Sequence, residues 1–254
     1  MIDFKNISKS FNGTLVLDNI SGELKSEKIN MIIGGSGNGK SVFVKCILGI
    51  LPVDSGNIFF DGNEMIYGDD DVSEDSFRKK IGVLQQRPAL SPDKTVEENI
   101  MLYLDILTDM TRDEKLKRVN ICLEQVGMSG FNNRYPEELS GGMKKKVGIA
   151  SAIVHKPKYL FCDEPNSGLD PESSKKIDNL IKIISKKYKI TTVIVSHNLD
   201  SVINIAENIL FLHDKKILWC GTCENLFSSG NKELDNFLKS SSTFEKYKKV
   251  VLKQ

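Results

Sequence analysis

The sequence predicts an α/β fold with a mostly parallel β-sheet that is covered by helices on both faces. Buried strand segments alternate with helical segments along much of the chain, which is typical of parallel sheets. A glycine-rich segment at residues 34–41 lies between one such strand and one such helix, where α/β folds bind ligands. With 254 residues, 40% of them hydrophobic, the chain is long enough for one large domain or two small ones.

The first sixty residues are predicted to form short strands joined by tight turns. The segments LVLDNI, INMII and NIFFDG carry this pattern, and the glycine-rich loop interrupts it. Lys28 to Ile33 has the apolar character of a buried strand, and Val42 to Leu48 has that of a helix packed on a sheet. A further short strand, IGVLQQ, is predicted from Ile81.

The pattern then becomes helical for about seventy residues. Residues 95–107 are rich in helix formers, and a second helix opens with a capping box formed by Thr111 and Glu114. Gly127 is predicted to end this helix. Its apolar face is predicted to consist of Leu116, Val119, Leu123 and Val126. We therefore expect a helical insert in the α/β frame.

The α/β pattern returns with the strand segment YLFCDE. A helix from Pro171 to Lys187 follows, with Asp170 as its N-cap, and then the β-branched strand TTVIVS. Residues 208–222 are typical of a hairpin that turns at Asp214 and Lys215.

The tail from residue 231 is rich in lysine, with apolar side chains between the charges. This composition is compatible both with a docking helix and with a solvated, frayed end. The apolar residues of the tail are Phe237, Leu238, Phe244, Tyr247, Val250 and Val251.

The bulk composition argues against several classes of partner and location. A formal net charge of +1 gives no overall attraction to nucleic acid or to anionic membranes, so we expect no nucleic-acid partner. No apolar run reaches the roughly 18 to 20 residues of a membrane span, and no leader segment is recognisable, so we expect a cytoplasmic location. The five cysteines are scattered through apolar segments, which fits a reducing compartment, and the single pair Cys220 and Cys223 is weak support for zinc.

The glycine-rich segment matches the phosphate-binding pattern G-x-x-x-x-G-K-[ST] through Gly34, Gly39, Lys40 and Ser41. The predicted strand before it and helix after it satisfy the structural conditions of that motif. Lys40 is then expected to reach the β and γ phosphates of a nucleotide, and the Ser41 hydroxyl to bind Mg²⁺. The alternative is a glycine-rich turn without a ligand. The predicted nucleotide-binding residues of the loop are Gly34, Gly35, Ser36, Gly37, Asn38, Gly39, Lys40, Ser41 and Val42.

Two further segments carry phosphate chemistry. The strand YLFCDE places Asp163 at its C-terminal end, as a Mg²⁺ ligand, and Glu164 beside it, as the group that orients or deprotonates water. Taken alone, this pair is compatible with an ordinary solvated strand end. Ser140, Gly141 and Gly142 precede a lysine-rich helix and predict a second anion site. Two phosphate-binding helix starts with one set of carboxylates suggest a nucleotide shared between two copies of the chain.

The segment LSGGM, Leu139 to Met143, resembles the signature sequence of ATP-binding-cassette (ABC) ATPases, and other motifs follow in the order of that family. Gly34 to Ser41 resembles the Walker A loop, Tyr159 to Asp163 the Walker B strand, and Ser167 to Asp170 the D-loop. The resemblance implies a P-loop fold with an N-terminal antiparallel β subdomain and an α-helical subdomain at about residues 88–156, both within an ATPase domain spanning 1–230. The tail, 231–254, lies outside that domain.

The resemblance also implies residue roles in ATP hydrolysis. Glu164 matches the catalytic glutamate, His197 the switch histidine at the γ-phosphate, and Gln86 the glutamine that senses Mg²⁺ and water. Phe11 lies where the family stacks an aromatic side chain on adenine, and its replacement of the commoner tyrosine leaves the preference for ATP over GTP open. Asp170 is expected near the nucleotide. The expected metal ligands are Ser41, Gln86 and Asp163.

The family arrangement further implies a head-to-tail dimer. Lys40 and Ser41 of one copy are expected to face Ser140 and Gly142 of the other across ATP. SGGM followed by basic residues, together with ALSPDKTVEENI, is similar to the ATPases of Mce/Mla-type lipid transporters. This likeness implies phospholipid transport between inner and outer membranes, driven from the cytoplasmic face of the inner membrane through a separate permease, with an Mce-domain protein and a small accessory subunit as further partners. The alternatives are a cassette ATPase for another cargo, such as a polar amino acid or a metal, or a non-transport ATPase.

Overall fold

The computed structural model describes residues 1–65, 77–241 and 244. These residues form two compact units: 1–65, 193–241 and 244 make up the first unit, and 77–192 the second. The described strands are β1 (Ile2–Phe11), β2 (Thr14–Leu24), β3 (Ile29–Ile33), β4 (Ser55–Phe60), β5 (Asn63–Glu64), β6 (Ile81–Leu84), β7 (Tyr159–Asp163), β8 (Thr191–Val195), β9 (Asn208–His213) and β10 (Lys216–Gly221). The described α-helices are α1 (Lys40–Ile47), α2 (Val96–Leu107), α3 (Arg112–Gln125), α4 (Gly141–Ile153), α5 (Pro171–Lys187), α6 (Leu199–Ile205), α7 (Cys223–Leu226) and α8 (Lys232–Lys239).

An antiparallel sheet of four strands, in the order β2-β1-β4-β5, forms one layer of the first unit. Asn12 and Gly13 join β1 to β2, and both lie in the left-handed region that a tight hairpin requires, with φ of 48° and 77°. One face of the sheet is apolar and buried, as the full burial of Ile2, Leu17 and Leu24 shows. The predicted N-terminal antiparallel β subdomain is thereby confirmed.

Parallel strand pairs form the core in both units. In the first unit β3 is buried at every residue and pairs in parallel with β9, which in turn pairs antiparallel with β10. The β9–β10 turn falls at Asp214 and Lys215, as the sequence predicts, and both residues have positive φ. In the second unit β6 and β7 pair in parallel, with Ile81 opposite Tyr159. The predicted α/β fold class is confirmed.

Helices α2, α3 and α4 of the second unit begin where the sequence places helix starts. Thr95 and Thr111 cap α2 and α3 through complete capping boxes with Glu98 and Glu114, so the boxes satisfy the first backbone N–H groups. On α3, Val119 and Leu123 are buried, as predicted, while Leu116 is only half-buried.

Arg118 is buried on α3, although the sequence pattern assigns this helix an ordinary apolar face. Its guanidinium donates to the carbonyls of Val154 and Ile153 at 2.7 and 3.0 Å. These carbonyls end α4, so the arginine supplies the donors that the last turn of that helix lacks. Arg118 therefore fixes α3 to the end of α4.

The part of the tail that the structure describes includes helix α8, which packs through Leu234 and Leu238. The Phe237 ring lies 5.5 Å from that of Phe211, centroid to centroid. The predicted docking residues Tyr247, Val250 and Val251 lie outside the described residues. Among the helices in the described part of the chain, none combines the length and apolar character that crossing a bilayer requires.

We expect Arg118→Met to lower the free energy of unfolding by about 2 to 3 kcal/mol, because the two carbonyls at the end of α4 lose a charged donor. Thermal unfolding followed by circular dichroism measures the loss. Lys117→Met is the matched control, since Lys117 is exposed on the same helix, and its effect should stay within about 0.5 kcal/mol. Equal stability of the two variants would contradict a capping role for Arg118.

Candidate active site

The phosphate loop joins β3 to α1 in the first unit, and its backbone lies against neighbouring backbone. Gly34 has φ of 150°, and a Cβ there would lie 2.1 Å from the carbonyl oxygen of Leu212 on β9. Gly39 has φ of 88°, and a Cβ there would lie 3.0 Å from the carbonyl oxygen of Val16 on β2. No side chain fits at Gly34 without moving β9, so glycine is needed there.

Helix α1 begins at Lys40 with Gly39 as N-cap, and no side chain caps it. Its first turn also lacks acidic residues. By contrast, the side chains of Thr95, Thr111 and Asp170 accept hydrogen bonds at the starts of α2, α3 and α5. The first N–H groups of α1 are therefore not covered by a side-chain cap, and together with the helix dipole they suit a phosphate group.

The Lys40 side chain folds back over the loop and is only 8% exposed. Its ammonium donates to the carbonyls of Gly34 and Gly35, each at 2.9 Å. The cation thus lies against the backbone of the loop and adds a positive charge to it. This cradle of small residues and one ammonium fits the triphosphate of ATP.

The Phe11 ring lies at the end of β1 and is 41% exposed, so a face remains available for stacking on a base. The ammonium of Lys9 lies 5.5 Å from the ring centroid, a cation–π distance. Lys9 is nearly buried and pairs with Asp54 at 2.7 Å. The Lys9 ammonium and the N–H of Ser10 hold the pKa of Asp54 below its usual value. These contacts restrict Lys9 to its position beside the ring.

In the second unit β7 ends at Asp163, and Glu164 follows with φ of 46°, in the left-handed region. Such a backbone conformation is strained for a residue with a side chain and is found at functional sites. The N–H of Ser167 donates to the Glu164 carbonyl at 3.1 Å, and the Gln86 amide donates to the Ser167 hydroxyl at 3.0 Å. The structure thus brings together two residues predicted to be catalytic, Gln86 and Glu164.

Lys145 also belongs to this cluster, although the sequence pattern shows only a lysine-rich helix start. Its ammonium donates to the Gln86 carbonyl and lies 3.5 Å from the Glu164 carbonyl oxygen. Burial lowers the pKa of Lys145, while the neighbouring groups of Cys162, Asp163 and Glu164 act in the opposite direction. Helical spacing does not separate it from Lys144 and Lys146, because Gly148 and Ala150, four residues after those two lysines, are buried as well as Ile149.

Ser140 caps α4, and its hydroxyl accepts the N–H of Met143 at 3.3 Å. The first turn of α4 carries no acidic residue, and a Cβ added at Gly142 would meet no atom within 4 Å. Ser140 and Gly141 are exposed, so this helix start is open to a ligand. The geometry therefore suits the second anion site that the sequence predicts.

His197 follows β8 in the first unit and is exposed. Asp170 in the second unit is the N-cap of α5, with Oδ1 accepting the N–H groups of Glu172 and Ser173 at 3.0 and 2.9 Å. These bonds, chiefly those from Ser173, hold the pKa of Asp170 below its usual value. The contact visible for Asp170 is capping, and its predicted contact with the nucleotide stays a prediction.

The predicted metal ligands are Ser41, Gln86 and Asp163, and all offer oxygen atoms, which Mg²⁺ prefers. Among the described residues, no group of three or more His, Cys, Asp or Glu side chains could hold a metal ion by itself. Mg²⁺ usually binds one or two carboxylates plus water and substrate phosphates, so this sparse donor set fits that ion when a nucleotide is bound.

Known proteins resemble the chain over most of its length. Residues 17–167 match the pattern of the family described as ABC transporter. The methionine import ATP-binding protein MetN of Clostridium acetobutylicum is 37% identical over 243 residues, which cover 95% of this chain and 75% of that protein. The MetN of Campylobacter jejuni is 35% identical, covering 95% of this chain and 76% of that protein.

Solved structures agree with this family match. The dimeric, post-hydrolysis structure of the ATP-binding cassette MJ0796 bound to ADP and Pi has a TM-score of 0.79 at 29% identity, covering 87% of this chain and 98% of that one. Structure cbiO1 from Clostridium perfringens, part of the transporter complex cbiONQ, has a TM-score of 0.83 at 28% identity, covering 95% of both chains. Both sequence relatives described above are methionine import proteins, and neither supports the expected Mce/Mla lineage or an Mce-domain partner.

We expect Gly34→Ala to abolish ATP binding and to lower the unfolding free energy by about 1 to 3 kcal/mol, because the added methyl group meets the Leu212 carbonyl. Equilibrium binding of a fluorescent ATP analogue and thermal unfolding measure the two effects. Gly62→Ala is the matched control: its φ is also positive, at 83°, but a Cβ there meets nothing within 4 Å. Unchanged binding by Gly34→Ala would contradict the packed loop.

Proposed function

The chain belongs to the ABC transporter family and hydrolyses ATP. We propose that it is the ATPase subunit of an amino-acid importer and that methionine is the cargo. The observation that supports this cargo is the likeness to methionine import proteins over 95% of the chain. This reading corresponds to the amino-acid importer that the sequence left as an alternative. A separate membrane permease and a second copy of the chain are its proposed partners, at the cytoplasmic face of the membrane.

In the proposed mechanism, the loop N–H groups and Lys40 bind the phosphates of ATP, and Phe11 stacks on the base. Ser41, Gln86 and Asp163 would hold Mg²⁺, which would neutralise phosphate charge. The Glu164 carboxylate takes a proton from a water molecule as the water oxygen bonds to the γ-phosphorus and the bond to the ADP oxygen breaks. His197 donates a hydrogen bond to the γ-phosphate.

The proposed dimer places the start of α4 of one copy against the ATP held by the loop of the other copy. The open, acid-free start of α4 supports this arrangement, and MJ0796 is a cassette with a dimeric structure. Because both helix starts would bind the γ-phosphate, hydrolysis weakens the contact between the copies. The cycle of closing and opening is what we propose to drive the permease.

Phospholipid transport is the second candidate, and it depends on one short stretch. Met143 and the three lysines that follow it resemble the signature region of Mce/Mla-type ATPases. The likeness to methionine import proteins extends over far more residues, so we place the importer first.

Transport assays separate the two cargoes. The chain is purified with the permease encoded beside its gene and reconstituted in proteoliposomes. We expect ATP-dependent uptake of radiolabelled methionine that stops in the Glu164→Gln complex, which is the control for hydrolysis. Uptake without dependence on ATP, or ATP-dependent movement of labelled phospholipid instead of methionine, would contradict the proposed cargo.

The proposed roles predict that substitution of Glu164 affects the rate of ATP hydrolysis, whereas substitution of Lys40 affects the binding of ATP. Glu164→Gln should keep the affinity for ATP and lower kcat by about 100- to 10,000-fold, because the amide cannot accept the proton. Lys40→Ala should weaken ATP binding itself, because a phosphate contact is lost. Phosphate release and equilibrium nucleotide binding measure the two effects. A normal rate in Glu164→Gln would show that another group is the base.

A further inference from the structure

We propose that Lys145 is a positioning residue for hydrolysis, which holds the backbones of Gln86 and Glu164 at a fixed separation. Lys145 lies on α4 and is only 4% exposed. Its ammonium donates to the Gln86 carbonyl and lies 3.5 Å from that of Glu164. One charged group thus touches the two segments that carry the proposed water-orienting residues.

These contacts close a ring of four residues within the second unit. The Gln86 amide donates to the Ser167 hydroxyl at 3.0 Å, and the Ser167 N–H donates to the Glu164 carbonyl at 3.1 Å. Lys145 joins the two carbonyl groups at the other side of the ring. Without its ammonium, Gln86 and Glu164 keep the hydrogen-bonded link through Ser167 but lose the link between their carbonyl groups.

The energetics favour a positioning role over a purely structural one. Burying an ammonium costs free energy that its hydrogen bonds only partly offset, and an apolar side chain at a buried helix position is often as stable or more so. The left-handed backbone of Glu164 is strained, and it persists only where neighbouring contacts hold it. The ammonium supplies such a contact at the Glu164 carbonyl. We infer that Lys145 is buried, despite the free-energy cost, because this contact holds the backbone of the proposed base in place.

The same side chain connects two parts of the proposed mechanism. Lys145 lies five residues after Ser140, in the helix whose start is the second anion site. The ammonium therefore connects the helix of the second anion site to the backbones of Gln86 and Glu164. The inference rests on the roles proposed above for those two residues, and Lys145 itself touches no reacting atom.

Steady-state ATP hydrolysis by the full chain tests this role with Lys145→Met. We expect kcat to fall by about 10- to 100-fold, the effect of small misplacements of catalytic groups. The KM for ATP and the affinity for ATP without Mg²⁺ should change by less than about twofold, because no phosphate contact is lost. Lys145→Arg should restore most of kcat, since its several donors can reach both carbonyls. Lys117→Met, an exposed lysine on α3, is the matched control and should keep the wild-type kcat.

Two results would overturn the proposal. The first is a kcat for Lys145→Met within about twofold of wild type. The second is a parallel loss of kcat, ATP affinity and thermal stability that Lys145→Arg does not restore, which indicates a structural role only. A double-mutant cycle with Ser167→Ala supplies a further readout: we expect a combined loss smaller than the product of the single losses, and independent losses would count against the ring.

The outcome is separable from that of the proposed function. Glu164→Gln tests the base by itself, and a normal rate there overturns that role whatever Lys145→Met does. Failure of methionine transport leaves all of these ATP hydrolysis measurements unaffected.

Discussion

The close approach of the phosphate loop to β9 is the constraint on which the first unit depends. The parallel pairing of Ile33 with Phe211 places the Leu212 carbonyl where a side chain of residue 34 would lie. A side-chain hydrogen bond supports this register at the other end of the strands, where the Asn208 side-chain amide donates to Oδ1 of Asn30 at 3.0 Å. A slip of the pairing would move a carbonyl away from or into the loop, so the loop conformation is set by strand register and not by the glycines alone.

The second unit fixes its site by an equivalent close approach between backbone groups. A Cβ at Gly82 on β6 would lie 2.0 Å from the Ala152 carbonyl, so α4 packs directly on the strand that leads to Gln86. Arg118 holds the end of that helix, and Lys145 connects its beginning to the loops after β6 and β7. The position of Glu164 therefore depends on how α4 packs as well as on the end of β7.

Local patterns allowed much of this molecule to be predicted from its sequence. Capping boxes, the hairpin turn at Asp214 and the strand before the phosphate loop depend on neighbouring residues, so their spacing is visible in the chain. The buried charges of Lys145 and Arg118 were missed because their burial depends on contacts with residues distant in sequence. The phospholipid cargo finds less support than the amino-acid importer that the sequence left as an alternative, because it was inferred from Met143 and its neighbours, which lie at a nucleotide-binding motif and not at a cargo-binding one.

The distribution of acidic residues at helix starts distinguishes the two predicted phosphate-binding helices from their neighbours. In the part of the chain that the structure describes, α1 and α4 are the two helices without an acidic residue in the first turn, whereas α2, α3 and α5 each carry one or more. An acid there offsets the partial positive charge of the helix start, and its absence leaves that charge uncompensated. The ammonium groups of Lys40 and Lys145 donate to backbone carbonyls nearby and add to the positive charge. In the proposed mechanism a triphosphate would supply the missing negative charge at these two helix starts, where an anion gains the most from the uncompensated helix dipoles.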